Sequence, residues 1–381
     1  MVQLAYIKGI DKNEIVRLSE KIREAWNDYF LEYQYCQNRI NFGTEERTNY
    51  MGDLLNYFDD TVELLEHIPV KANYQLAVYD TVSVLQLMYI GQDLIDELRF
   101  VFKMPASSGE DKLLIRTLRN ELTGHPISRD KKNNFISSVF FTRDSYGTVV
   151  EYLRYHKDRD YKSEVVRYEW EELVRAHENY LLENLKAILA TIKNKLKLYQ
   201  NQLSKFLKDF PKISFEGIVN KTEHLFDAFF ENSALYSKSN LLYFFENQTV
   251  HPRYRHCTDI FMRDLKHDLV QITGDIKEFR SDEPQLLAPQ DHSHTSFKIV
   301  FSKGAGNGTD AESTRRDIRH QFSKLREKHP VFGIDYFIKT YRDDPEVLSE
   351  LKYLQSVHGD EREFYCCYEY LRYLFTVRDL L

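Results

Sequence analysis

The chain has 381 residues, long enough for two or three ordinary domains, and 42% of them are hydrophobic and 14% aromatic, including 26 Tyr and 25 Phe. That apolar content excludes a disordered chain, which lacks the area to offset ordering entropy. A formal net charge of −7 excludes a uniformly cationic surface for nonspecific duplex binding, yet it leaves room for a local basic groove, because binding follows where charge sits.

The four cysteines, Cys36, Cys257, Cys366 and Cys367, include a vicinal pair and no C-x-x-C, so neither a zinc site nor a disulfide framework is expected. A reducing cytoplasm fits that usage. The opening stretch MVQLAYIKGIDKNEIV has no basic segment followed by an apolar core, and no run approaches the roughly 18 apolar residues of a membrane span. A cytoplasmic protein with no membrane partner is expected.

In chain order, residues 11–35 set Ile15, Leu18, Ile22, Trp26 and Phe30 at steps of three and four, the period of an amphipathic helix. A second helix is expected from Thr44, as its cap, to a stop at Pro69. A third, over about 74–103, is apolar over much of its circumference, as the centre of a bundle is. A fourth runs from about Glu110 to Thr123. FISSVFFTRDSYGTVVEYLRY has two β-branched and aromatic runs around a turn at Asp144 to Gly147 and reads as a hairpin near 135–155. A long helix over about 169–208 follows, closed by Pro211.

Beyond KDFPKIS, helices are expected near 214–231, 238–247 and 255–279. SDEPQLLAPQDHSHTS loses the helical period, giving a loop near 281–312 in which FKIVF reads as one strand and SKGAGNGTD as a turn. Helices resume at Ser313. The expected fold is mainly α: residues 1–210 form a helical bundle with an inserted β-hairpin, and 211–381 form a C-terminal, mostly helical region.

One stretch departs from ordinary helix composition: RTLRNELTGHP, residues 116–126, in which Arg119 and Asn120 are followed, after four intervening residues, by His125. The spacing resembles the R-x4-6-H signature of the HEPN superfamily, helical-bundle proteins many of which are metal-independent ribonucleases, and in which Asn, Asp or His commonly follows the arginine. The resemblance covers the motif and a bundle context of about residues 45–200. It implies an endoribonuclease without metal or cofactor, with Arg119, Asn120 and His125 as catalytic residues and RNA as substrate. It also implies a homodimer that pairs two copies of the motif, and a role as a toxin or antiviral defence effector under a protein partner or regulator. An acidic residue of the preceding helix often accompanies the motif; Asp93, Asp96 and Glu97 all remain open.

The residues themselves suit that chemistry. RNA can be cut by its own 2′-OH if a base takes that proton and an acid protonates the leaving 5′-oxygen. Histidine serves either role because its ordinary pKa of about 6.5 lies near working pH. Charge building on the phosphorane needs a fixed donor array, which a guanidinium supplies in bidentate form. On an unbroken helix, Arg119 and His125 would sit about 120° apart around the axis. Gly124 is therefore expected to adopt the left-handed conformation at the helix end, with Pro126 barring continuation, and to redirect His125.

A capped helix whose His125 bonds a terminal carbonyl is the alternative reading of the same residues. A second match, Arg315 to His320 in RRDIRH, reads as an exposed helix face. Arg116, one turn before Arg119, either extends a phosphate track or is a solvated arginine. RYHKDRDYK, residues 154–162, offers Arg154 and Arg159 as further substrate-binding residues, or is a solvated turn. HPRYRHC, residues 251–257, reads as a helix start with a basic, RNA-facing edge and an incomplete metal-ligand set. GAGNGT lacks the Lys-Ser/Thr of a phosphate loop. Cys366 and Cys367 belong to a core. The other function class left open is a non-catalytic helical scaffold that binds a protein or nucleic acid.

Overall fold

The amphipathic stretches fold as helices with inward apolar stripes, and the chain is mainly α with one four-stranded antiparallel sheet and one two-stranded ribbon among the described residues. The computed structural model describes residues 5–42, 50–70, 74–129, 131–140, 148–227, 230, 235–281, 310–326 and 333–378. Two compact units, Met1–Tyr199 and Gln200–Leu381, divide the chain, and the 40-residue helix Trp170–Asp209 contributes to both.

In the first unit, helix α1 (Lys12–Ala25) starts where the Asp11 carboxylate accepts from the Asn13 N–H at 3.2 Å, satisfying an otherwise orphaned donor. Its buried stripe Ile15, Leu18 and Ile22 continues through Trp26 and Phe30, although Trp26–Phe30 winds as a π-turn. A single turn, α2 (Gln34–Gln37), follows. Helix α3 (Tyr50–Leu64) buries Leu55, Phe58 and Val62, and α4 (Tyr74–Val101) buries Leu85, Met88, Ile95 and Leu98. Helix α5 (Glu110–Arg119) packs on α4, and α6 (Trp170–Asp209) buries Leu173, Leu181, Leu185, Ile188 and Ile192.

Two expectations change here. Helix α3 ends at Leu64 rather than running to Pro69, and His67–Val70 (β2) pairs antiparallel with Ala5–Lys8 (β1), Tyr6 opposite Pro69. A two-stranded ribbon has only edge strands, where a proline can sit without removing a ladder bond. The expected cap Thr44 lies outside the described residues. The hairpin is the middle of a larger sheet, in order β3 (Ile127–Arg129), β4 (Phe135–Phe140), β5 (Val149–Tyr155) and β6 (Glu164–Glu169). The turn expected at Asp144 to Gly147 lies outside the described residues. Register sets Tyr152 opposite Phe140 and Val166, and Leu153 opposite Val139 and Val165. Alternation then gives the sheet an inner face with Tyr152 and Arg154 and an outer face with Val139, Leu153 and Val165.

In the second unit, helices α7 (Phe215–Leu225), α8 (Lys238–Glu246), α12 (Pro345–Ser356) and α13 (Glu361–Val377) begin at Ser214, Ser237, Asp344 and Asp360, whose side chains accept backbone N–H bonds. Between them lie α9 (Pro252–Arg280), α10 (Asp310–Arg326) and α11 (Ile334–Thr340). Phe322, Leu325, Phe337, Leu351, Phe364, Leu371 and Phe375 form its core. The FKIVF strand, GAGNGT and most of the 281–312 loop lie outside the described residues. No described helix is long and apolar enough to cross a membrane.

Candidate functional site

Helices α4 and α5 meet along a polar ladder. Gln86, Tyr89, Asp93 and Asp96 follow one another at steps of three and four, so they share one face of α4. Lys112, Arg116 and Arg119 do the same on α5. At one end the buried Lys112 ammonium donates to both Asp96 oxygens at 2.6 and 2.8 Å and to Ser107 Oγ at 2.7 Å; Ser107 itself bonds Asp96. Tyr180 of α6 lies 2.8 Å from the same Ser107 oxygen, and burial pushes its hydroxyl pKa up to about 12. In the middle, Arg116 Nη2 donates to Asp93 at 2.5 Å and to Asp96 at 3.2 Å. Arg116 is thus committed to carboxylates of α4, as the sequence could not decide, and Asp93 and Asp96 are its partners.

Arg119 ends the ladder differently. Its Nε donates to the Gln86 amide oxygen at 3.1 Å and its Nη1 to Asn120 Oδ1 at 3.1 Å, both neutral acceptors. The Tyr89 ring lies 4.3 Å from the guanidinium carbon and 4.7 Å from that of Arg116. These contacts orient the fork without neutralising it, so its charge remains for an anion.

The turn that follows is not the expected one. Gly124 is absent from the positive-φ residues, and the helix ends through a π-turn, Asn120–Gly124, closed by the His125 N–H bonding the Asn120 carbonyl at 2.7 Å. Glycine there leaves the space that the Arg119 side chain occupies. A Cβ on Gly124 would stand 2.6 Å from Arg119 Nη1 and 3.3 Å from Asn120 Oδ1. The guanidinium therefore folds over the turn onto the backbone one residue before His125. His125 leaves the turn at φ −141°, exposed, and its side chain makes no hydrogen bond among the described residues. Bonding of the imidazole to a terminal carbonyl, the capping alternative, does not occur; the backbone N–H closes the helix instead.

The π-turn is tied to the inner face of the sheet. Tyr152 donates to Glu121 Oε2 at 2.5 Å, and Arg154 lies 3.3 Å from Glu121 Oε1 and 3.6 Å from Glu164. Burial, then the Glu121 bond, raises the Tyr152 pKa, so the hydroxyl stays a donor. Arg154 is held between two carboxylates under the sheet. Arg159 is exposed in the β5–β6 turn, 3.6 Å from Glu164.

In the second unit, HPRYRHC begins helix α9 as expected, with His251 Nδ1 accepting the Arg253 N–H at 3.3 Å. Its basic edge does not face outward at Arg253, which is buried against Glu350 at 3.1 Å with its guanidinium 3.6 Å from the Tyr353 ring. Cys366 and Cys367 are buried, and Cys257 Sγ lies 3.5 Å from Cys366 Sγ. Arg315 and His320 fall in α10, where His320 is exposed. Among the described residues no group of three His, Cys, Asp or Glu side chains is arranged to hold a metal.

Gln86, Tyr89 and Glu121 were not singled out from the sequence. The signal existed for the first two, whose spacing with Asp93 and Asp96 marks a polar stripe on an otherwise apolar helix. No family model matches this chain, and neither a curated protein nor a solved structure matches it.

Proposed function

We propose that this chain is a metal-independent endoribonuclease of the HEPN type, acting in the cytoplasm as a toxin or antiviral defence effector. The observation that supports the reading most is the presentation of Arg119 by Gln86, Tyr89 and Asn120 beside a turn from which His125 projects with no competing hydrogen bond. In this reading His125 of one copy takes the proton from the 2′-OH as it attacks phosphorus. The second copy's imidazolium gives its proton to the departing 5′-oxygen. Arg119 holds the phosphorane oxygens, and Asn120, which fixes the guanidinium through Oδ1, keeps its amide N–H groups for the scissile phosphate. The products are a 2′,3′-cyclic phosphate and a 5′-hydroxyl.

A second copy is needed for the second histidine, and α4 offers it a surface. Leu76, Tyr79 and Val82 are 50%, 69% and 36% exposed at steps of three, on the stripe that leads to Gln86 and Tyr89. A second reading, a helical scaffold without chemistry, is favoured by one observation: Arg116 is spent on Asp93 and Asp96.

Incubation of purified protein with labelled single-stranded RNA in EDTA separates the two. Cleavage by wild type, and its loss by roughly 10²-fold or more in His125→Ala and Arg119→Ala, supports the nuclease. A folded dimer that leaves diverse RNAs intact, or keeps its activity in His125→Ala, supports the scaffold.

A further inference from the structure

The outer face of the four-stranded sheet is used by nothing described so far. Ile127, Phe135, Val139 and Val165 are 72%, 38%, 42% and 57% exposed on it, with Leu153 and Tyr155 half-buried between them, and toward the His125 end the same face carries Arg167, 4.0 Å from Glu151 and 3.0 Å from Glu169. The register fixes which turns share an end. Because β3 to β6 form an antiparallel meander, the β3–β4 turn and the β5–β6 turn lie side by side at one end, and the segment containing His125 and Pro126 enters at the other.

That shared end is cationic. Arg129, Lys131, Lys132, Lys157, Arg159 and Lys162 are all exposed there. Arg129, Lys131, Lys157 and Lys162 have no carboxylate partner among the described residues, and Arg159 has one at 3.6 Å. Asp160 is an exposed carboxylate in the same turn, and the sequence of the two turns also contains Asp130 and Asp158, so six cations are set against three aspartates. Phe135 and Tyr161 expose rings beside these cations, at 38% and 44%. In a chain of net charge −7 this is a local exception. Lysines and arginines around exposed rings and an apolar sheet face are the chemistry of a single-stranded nucleic acid: phosphates contact the rim, and unpaired bases lie on the rings. A duplex keeps its bases inside and gains nothing from the face.

The geometry points to a platform for single-stranded RNA, running from this basic rim across the outer face toward His125. It rests on the nuclease reading for the purpose of the platform, though not for its binding. The Pro126 carbonyl accepts from the Ser138 N–H at 2.8 Å, which fixes the His125 end of β3 alongside β4. At about 3.3 Å per residue, the rim at Lys131 lies roughly 15–20 Å along the sheet from His125, so a bound strand spans several nucleotides before reaching the imidazole. Arg154 takes no part, since it lies on the inner face with Glu121.

Binding is measured by fluorescence anisotropy of an unstructured RNA of about 12 nucleotides, within the span of single-strand sites, using full-length His125→Ala so that no cleavage interferes. The triple change Lys131→Glu, Lys157→Glu, Lys162→Glu is expected to weaken Kd by about tenfold or more and to flatten the logarithmic salt slope by about 0.7 per lost contact. The milder Lys→Ser triple gives the same direction, and Phe135→Ala and Tyr161→Ala each weaken binding by about tenfold. Helical circular dichroism is retained in each. An unchanged Kd and salt slope in both triples, or a blunt duplex bound as tightly as the single strand, overturns the platform. So does a Val139→Asp variant that loses self-association while keeping its RNA affinity, which assigns the face to protein contact. Wild type that binds by this rule but cuts nothing removes the nuclease reading and leaves the platform standing. Wild type that cuts while the triples bind normally removes the platform alone.

Discussion

Gly124 carries the sharpest consequence at the scale of single residues. Its missing side chain lets Arg119 fold over the π-turn, and the group a methyl would strike is the far end of a flexible side chain. Gly124→Ala is therefore expected to change stability by no more than about 1 kcal/mol, since the guanidinium swings aside and the backbone φ is one that alanine adopts. Cleavage is expected to fall by roughly 10²-fold, the scale associated with an ångström of misplacement at a reacting centre. Thermal melting paired with initial rates checks this; a melting loss as large as the rate loss would make the glycine structural. The sequence marked a glycine at this helix end, but the left-handed cap expected of it is not what the turn uses it for. A left-handed cap and a π-turn both favour glycine, one through φ and the other through the space above the turn. Composition cannot separate them, because the crowding atom belongs to a side chain five residues back.

At the scale of elements, the interface between α4 and α5 is held by charge at one end and left open at the other. Lys112 is buried and its main counter-ion Asp96 is about one-third exposed. Asp96→Ala is expected to cost roughly 2–3 kcal/mol in chemical denaturation, between the values for exposed and fully buried pairs. A cost within about 0.5 kcal/mol, the range of ordinary surface changes, would make the ladder decorative. Within α4, Gly91 lets the buried ring of His177 from α6 approach, and neither ring nitrogen has a hydrogen-bond partner among the described residues. Burial lowers its pKa to about 3. The native state keeps His177 neutral while the unfolded chain takes up a proton near 6.5, so stability is intact above that pH and falls between about 6.5 and 3. His177→Leu is expected to flatten that acid limb by up to about 1.4 kcal/mol per pH unit and to leave neutral-pH stability equal or higher. Urea titrations at pH 7 and pH 5 read both effects, and equal acid slopes in the two proteins would remove His177 as their source. The period of α1 and α6 was plain in the sequence because each buries one stripe, while α4 was legible through its long, nearly all-round apolar run. The flanking strands β3 and β6 were not: one has three residues, and the other, EVVRYE, is half charged and alternates too briefly to outweigh the helix that follows.

For the whole molecule, a site with two histidines requires two copies of the chain. Light scattering at micromolar concentration is expected to give a dimer, and Tyr79→Asp with Val82→Asp is expected to give a folded monomer with cleavage reduced by at least tenfold, a general acid or base being worth more than that. A wild-type monomer with full activity would remove the composite site. Chemistry through the 2′-OH is the central claim, and it is tested most directly on the substrate. An RNA carrying a single 2′-deoxy nucleotide at the main cleavage position is incubated with wild-type protein in EDTA, and the product ends are read by mass spectrometry. No cut is expected at that linkage, and 2′,3′-cyclic phosphate with 5′-hydroxyl ends is expected at every other cut. Cleavage of the deoxy linkage, or products ending in a 3′-hydroxyl and a 5′-phosphate, would contradict the claim.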